Sequence, residues 1–257
     1  MIAYRYSYIS LKYTIFKDFS MIFNKNRQNF IASVLFVSIA SIPNELCSFE
    51  AYPYIGFDHQ LNRMKFKEGY GHNMFPKHFK QLNLYGGFKF NNQNALEFGY
   101  VSTLSKNKYS ILHTGDKALG ATISHSASPA KFISYIKVKG YHLGMTNIYF
   151  PSISDSFRIL GGVGLSFLTA EAERNCIALG CPPAPGTIRK FKKRRTVLRF
   201  MAASEYKFKN DLGLRLSFCF IQTSKMVIRA YPRDNAFTPI IKPKDSFIYG
   251  LGIFYEF

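Results

Sequence analysis

The chain has 257 residues, 47% of them apolar, which is enough to enclose a sizeable interior. Its formal charge is +19, and aromatics make up 17% of it, as 26 Phe and 17 Tyr with no Trp. The charge raises a nucleic-acid reading, but no recognition-helix pattern, metal-finger spacing or RNP-like strand accompanies it, and the basic residues are scattered rather than gathered on one helix. Abundant Phe and Tyr with 18 Gly favour β structure.

Met1 to Ser20 carries no interpretable signal; a start placed too far upstream or an extended n-region would account for it. Residues 21–51 read as a signal peptide. Lys25 and Arg27 form a basic n-region, and Phe30 to Ile42 is an apolar h-region too short to span a bilayer comfortably. Two cleavage positions stay open, one after Ser38-Ile39-Ala40 and one ending at Ala51. Cys47 follows Asn44-Glu45-Leu46, a poor lipobox, so lipidation is disfavoured. From Ala51 onward no apolar run reaches the length of a membrane helix.

Residues 52–257 read as a single domain of eight strands. Tyr52 to His59 is the first. Gln81 to Phe90 alternates apolar Leu82, Leu84, Phe88 and Phe90 with Asn83, Tyr85, Gly87 and Lys89. After the turn Asn91 to Asn94, Ala95 to Leu104 alternates again, a hairpin signal. Phe132 to Tyr149 is a long strand of unclear phase, followed by a turn at Pro151 to Asp155. Ser156 to Ala170 and Thr196 to Phe208 come next. Asn210-Asp211 turns the chain into Leu212 to Gln222, and a last strand runs from Tyr249 to Phe257. In that last strand Tyr249, Leu251, Ile253, Tyr255 and Phe257 share one phase, Gly250, Gly252 and Glu256 share the other, and Phe254 is an exception. Short connections alternate with long ones at Asn62 to Lys80, Lys106 to Lys131, Glu171 to Arg195 and Lys225 to Asp245. Periodicity alone does not separate a membrane barrel from a soluble ligand-binding barrel with its phase reversed.

The tail resembles the C-terminal signature of bacterial outer-membrane β-barrels, with Tyr255 and the terminal Phe257 at the signature positions. The stretches YIGFDHQ, NLYGGFKF, LEFGY, RILGGVGLSF, EYKFKNDLGLRLSF and KDSFIYGLGIFYEF are similar, in order, to strands of the OmpA-like and opacity-protein-like barrels. The resemblance implies an all-β, eight-stranded antiparallel up-and-down transmembrane β-barrel over Tyr52–Phe257. It also implies an outer-membrane location after Sec export, and recognition of Tyr255 and Phe257 by the barrel assembly machinery.

In such a barrel Glu97, Arg158, Arg199, Glu205, Lys207 and Arg215 would face the lumen, which eight strands leave just wide enough to fill with side chains. Unpaired charge there is costly, so Glu97 and Glu205 are expected to pair with the arginines Arg158, Arg199 and Arg215. Cys176 and Cys181, in NCIALGC, have disulfide spacing in an oxidising compartment; free thiols or a metal site are the alternatives. Cys219 falls on the lumen phase and is expected to be unpaired. Arg189, Lys190, Lys192, Lys193, Arg194 and Arg195 form RKFKKRR at the base of the third long loop. It reads either as a solvated strand end or as a contact for lipopolysaccharide phosphate or an acidic host surface. His125-Ser126 lacks the spacing and placed carboxylate of the lipid A deacylases, so no catalytic residue, metal site or cofactor is expected.

The function expected is that of a non-enzymatic surface protein acting in envelope integrity, adhesion or host interaction. Its partners would be outer-membrane lipid, lipopolysaccharide and a host surface ligand, with no nucleic acid. A small pore and a lipid A-modifying enzyme are the alternatives.

Overall fold

The computed structural model describes residues 51–90, 94–104, 106–123, 129–154, 156–177, 189–231 and 239–257. The strands are β1 (Ala51–Phe66), β2 (His78–Phe90), β3 (Asn94–Thr103), β4 (Asn107–Leu112), β5 (Lys117–Ala118), β6 (Ala121–Thr122), β7 (Ala130–Ser154), β8 (Phe157–Cys176), β9 (Arg189–Lys207), β10 (Leu212–Ile221), β11 (Ile228–Tyr231), β12 (Ile240–Ile241) and β13 (Pro243–Glu256). Eight of them close a ring in the order β1-β2-β3-β7-β8-β9-β10-β13, and β13 returns to β1. Every pairing in the ring is antiparallel. Closure satisfies the backbone of all eight strands and leaves the ring no free edge.

The short connections form where turn chemistry demands. Phe90 pairs with Asn94 across the first. At Asn210-Asp211, Asp211 takes φ 63, a left-handed conformation that Asp tolerates. Its carboxylate receives the Lys207 ammonium at 2.8 Å.

Alternation along each strand assigns an inner and an outer face. On β13 Ser246, Ile248, Phe254 and Glu256 point in, while Phe247, Tyr249, Leu251, Ile253, Tyr255 and Phe257 point out and are exposed. Phe254, out of phase by composition, is therefore an inner residue, 1% exposed. The outward apolar row continues on every neighbour: Ile55, Phe57 and Leu61; Leu84 and Phe88; Phe98 and Tyr100; Tyr141; Val163; Phe200 and Tyr206; Leu212, Leu214, Leu216 and Phe218. Ten steps from Phe247 to Phe257 at about 3.4 Å each cover about 34 Å of strand. The usual tilt of barrel strands brings that to a height of about 25 Å.

The wall is taller than this belt. Strand β7 has 25 residues, roughly 80 Å of extended chain. Two segments expected as long loops are partly strand. β1 continues to Phe66, β2 begins at His78, and β8 and β9 stay paired up to Arg174↔Arg189. RKFKKRR is thus part of β9, at its start. Likewise β7 runs through the expected Pro151 turn as far as Ser154, which pairs with Phe157.

Above the belt the two faces exchange character. On β1 the inner residues change from Asp58, Gln60 and Asn62 to Met64 and Phe66, while the outer ones change from Ile55, Phe57 and Leu61 to Arg63 and Lys65. On β9 Phe191 points in between outward Lys190 and Lys192.

Candidate functional site: a filled lumen, its cap and two basic surfaces

The lumen is layered. At the short-turn end it holds a chain of ion pairs. Arg215, from β10, places Nη1 at 2.5 Å from Glu97 Oε2, and Nε and Nη2 at 2.8 and 2.6 Å from Glu205 Oε1. Its guanidinium lies 4.2 Å from the Tyr85 ring centroid, an added cation–π contact. The Tyr54 hydroxyl donates to Glu97 at 3.2 Å. Lys89 donates to Glu205 at 3.1 Å and also reaches Glu256. Arg158 donates to both oxygens of Glu256 at 2.7 and 3.3 Å, and Lys207 adds a further contact at 3.1 Å. The charges of this chain are therefore met by opposite charge and hydrogen bonds, the condition under which charge is tolerated away from water.

A layer of amides follows. Gln60 and Asn83 both donate to Asp58 at 3.3 Å. Asn62 donates to Gln81 at 3.1 Å, and Gln81 donates to Thr103 at 3.3 Å.

Of the expected lumen arginines, Arg215 meets Glu97 and Glu205, Arg158 meets Glu256 instead, and Arg199 meets no carboxylate. Arg199 Nη2 lies 3.4 Å from Cys219 Sγ and 3.7 Å from Met201 Sδ. The register explains this. Glu97 and Arg199 lie on one cross-strand row, separated by Gly144 and Gly164. Two inward glycines leave a gap instead of a bridge. With His142, Thr146, Gly162 and Met201 they line a recess of about 20 Å³, room for about one water molecule. Lys89, Glu256 and Asp58 were absent from the expected set. The signal for Lys89 and Glu256 was their phase, which they share with Gly87 and with Gly250 and Gly252.

The other end is apolar and closed. Met64, Phe66, Phe79, Ile136, Val138, Leu168, Ala170 and Phe191 fill it from the wall. Met74 and Phe75, from the β1–β2 connection, plug it from above; Phe75 packs on Phe66 at 5.9 Å and on Phe191 at 6.3 Å between ring centroids. Backbone hydrogen bonds join the connections into one cap. Gly120 N donates to Gly69 O at 2.7 Å, Ile240 N to Leu119 O at 3.1 Å, and Lys242 N to Tyr70 O at 3.2 Å. Leu119 and Gly120 both take positive φ at the β5–β6 hairpin tip, 54 and 93. A leucine is strained there; its side chain is 1% exposed in the apolar cluster, which offsets that cost.

Outside the wall, the cations of β9 have neighbours. Lys192 lies 3.2 Å from Glu171, with Lys139 at 3.7 Å from the same carboxylate, and Lys190 is 3.9 Å from Glu173. Burial pushes the Glu171 carboxyl up, but the Lys192 hydrogen bond and the charges of Lys139 and Lys192 outweigh it and hold it below the usual range. Arg195 donates to Lys225 O. Lys193 and Arg194 are exposed, and Arg189 opposes Arg174 in the register. Cys176 is disulfide-bonded, while Cys181 lies outside the described residues, as do His125 and Ser126. Cys219 is a buried free thiol. Tyr255 and Phe257 stack edge to face at 5.0 Å, and Phe257 N donates to Pro53 O at 3.0 Å. Among the described residues no three His, Cys, Asp or Glu side chains converge as metal ligands.

No protein-family model and no curated protein matches the chain. Several solved structures are similar to it. The outer membrane protein OprG of Pseudomonas aeruginosa shares 13% identity at a TM-score of 0.48, over 80% of this chain and 95% of that one. Ail, the attachment invasion locus protein of Yersinia pestis, solved with the heparin analogue sucrose octasulfate, shares 13% at 0.41, over 82% and 99%. The outer membrane protease OmpT of Escherichia coli shares 10% at 0.42, over 84% and 100%. At these values they are likenesses only.

Proposed function

We propose that the chain is a non-enzymatic outer-membrane barrel, exported by the Sec signal at residues 21–51, sealed to solutes, and acting through its outer surface in envelope integrity or adhesion. One observation carries the reading: the outward apolar belt runs round the ring at about the height of a bilayer's apolar layer, while the charge lies inside. A soluble barrel would present the reverse. The filled lumen favours a sealed wall over a pore, since ionic, amide and apolar layers stand in series and the recess by Arg199 has room for about one water. The partners of this reading are the surrounding lipid and lipopolysaccharide, a host surface ligand at the cap, and the assembly machinery acting on Tyr255 and Phe257.

The test is the migration of outer-membrane fractions on gels in mild detergent, boiled against unboiled. A shift that vanishes when Phe257 is deleted supports the membrane barrel. Recovery from the soluble periplasmic fraction with no shift refutes it. Planar-bilayer recording tests the seal, and steady single-channel currents from the folded protein would refute a closed lumen.

A further inference from the structure

The belt ends on β1 and β2 in positive charge. Arg63 stands directly opposite His78, and Lys80 directly opposite Leu61. Leu104 N donates to Lys80 O at 2.8 Å, and Lys106 lies two residues beyond Leu104. Arg63, Lys65, His78, Lys80 and Lys106 are all exposed. Side chains at directly opposed positions of an antiparallel pair have Cβ atoms about 5 Å apart, and like charges there destabilise the sheet. None of these five residues has an ion-pair partner among the described residues, in contrast to Lys190 and Lys192. Asp245, on the adjoining β13, accepts the Ser224 N–H at 3.0 Å, and Asp58 is enclosed in the lumen. The face thus carries an excess of positive charge, with no carboxylate paired to it among the described residues. Immediately toward the belt lie Leu61, Leu82, Leu84 and Phe247, all outward and apolar.

Cations above an apolar slope match one kind of occupant, an amphiphile with anionic oxygens above hydrocarbon chains. Resting on the membrane-barrel reading above, we propose that the outward face of β1 and β2 binds a phosphate-bearing lipid headgroup of the surrounding leaflet. Arg63, His78 and Lys80 hold the phosphate, and the acyl chains lie against Leu61, Leu82 and Phe247. Arg63 suits this role because its guanidinium offers two parallel donors to a phosphate. The RKFKKRR segment is the weaker contact, since Glu171 and Glu173 already neutralise part of it.

The experiment compares the wild type with R63Q/K80Q and K190Q/K192Q. Each is folded into vesicles of phosphatidylcholine alone, of phosphatidylcholine with a minor fraction of bisphosphorylated lipid A, and of phosphatidylcholine with inorganic phosphate in the buffer. The readout is the temperature at which the unboiled gel band converts to the unfolded one, titrated against lipid A. The wild type and K190Q/K192Q should convert at higher temperature with lipid A. R63Q/K80Q should need roughly tenfold more lipid A for each cation removed. An undiminished response in R63Q/K80Q, a loss confined to K190Q/K192Q, an equal loss in both variants, or equal protection by inorganic phosphate would each overturn the proposal. Failure of the wild type to give a folded band in phosphatidylcholine alone would instead refute the membrane-barrel reading.

Discussion

Replacing Arg215 by Met should be the most damaging single change in the lumen. Arg215 is 2% exposed and holds two carboxylates, Glu97 and Glu205, through contacts of 2.5, 2.6 and 2.8 Å. Removing one partner of a buried pair costs about 3–5 kcal/mol, because the other charge is left without compensation. Two features pull in opposite directions. Glu97 keeps Tyr54 at 3.2 Å and Glu205 keeps Lys89 at 3.1 Å, which lowers the cost. The cation–π contact with Tyr85, at 4.2 Å, is lost, which raises it by about 1 kcal/mol. The expected loss is therefore about 4 kcal/mol of unfolding free energy. The chain has no Trp, so urea unfolding in phosphatidylcholine vesicles is best followed by far-UV circular dichroism. Adding Glu97→Gln and Glu205→Gln to the Met variant should recover more than half the loss, since the orphaned charges then disappear. Bilayer currents should stay absent in both variants, because the apolar layer closes the other end. A single variant within about 0.5 kcal/mol of wild type, or one that conducts, would refute the layered account.

Four further outcomes follow from the same geometry. Arg158→Ala should cost only about 1 kcal/mol in the same unfolding assay, because its side chain is 19% exposed and Glu256 keeps Lys89 and Lys207. Leu119→Ala should destabilise the cap by about 2–5 kcal/mol, seen as faster protease cleavage of intact cells; Leu119→Gly should be milder by about 1 kcal/mol because it removes the left-handed strain. His59 is outward on β1 between Phe57 and Leu61, opposite Leu251 and Leu82, so His59→Leu should raise stability by about 1 kcal/mol in vesicles. The Glu171 carboxyl is depressed in the folded chain, so its contribution is present above the unfolded carboxylate pKa and is lost as pH falls through the folded value. Carbon NMR of Glu171 should show an upward shift of that pKa in Lys192→Gln, with only a few tenths of a kcal/mol at stake because both groups are partly exposed.

The ring strands were readable wherever one rule of alternation held throughout. Leu212 to Gln222 and Tyr249 to Phe257 keep large apolar side chains in one phase for their whole length, and the first of them meets β9 across the short turn at Asn210-Asp211. The upper wall escaped because the rule inverts there. Lys65, Lys80, Lys137 and Lys192 occupy the phase that lower down is apolar, while Phe66, Phe79, Ile136 and Phe191 occupy the phase that lower down is polar. A stretch crossing that level, such as Phe132 to Tyr149, shows no single phase. The lumen charges were legible as a set but not as pairs. Pairing depends on register between strands far apart in sequence, and on the inward glycines that keep Arg199 from Glu97.

The seam between β1 and β13 carries a temporal consequence. Tyr54 is registered with Glu256, about 200 residues away along the chain, so this is among the most non-local contacts a chain of this size can make. Until it forms, β1 and β13 each offer an unpaired edge to other chains. Zipping of that seam is thus the expected slow step of maturation, and the interval before it is when an unchaperoned chain is most exposed to misassociation.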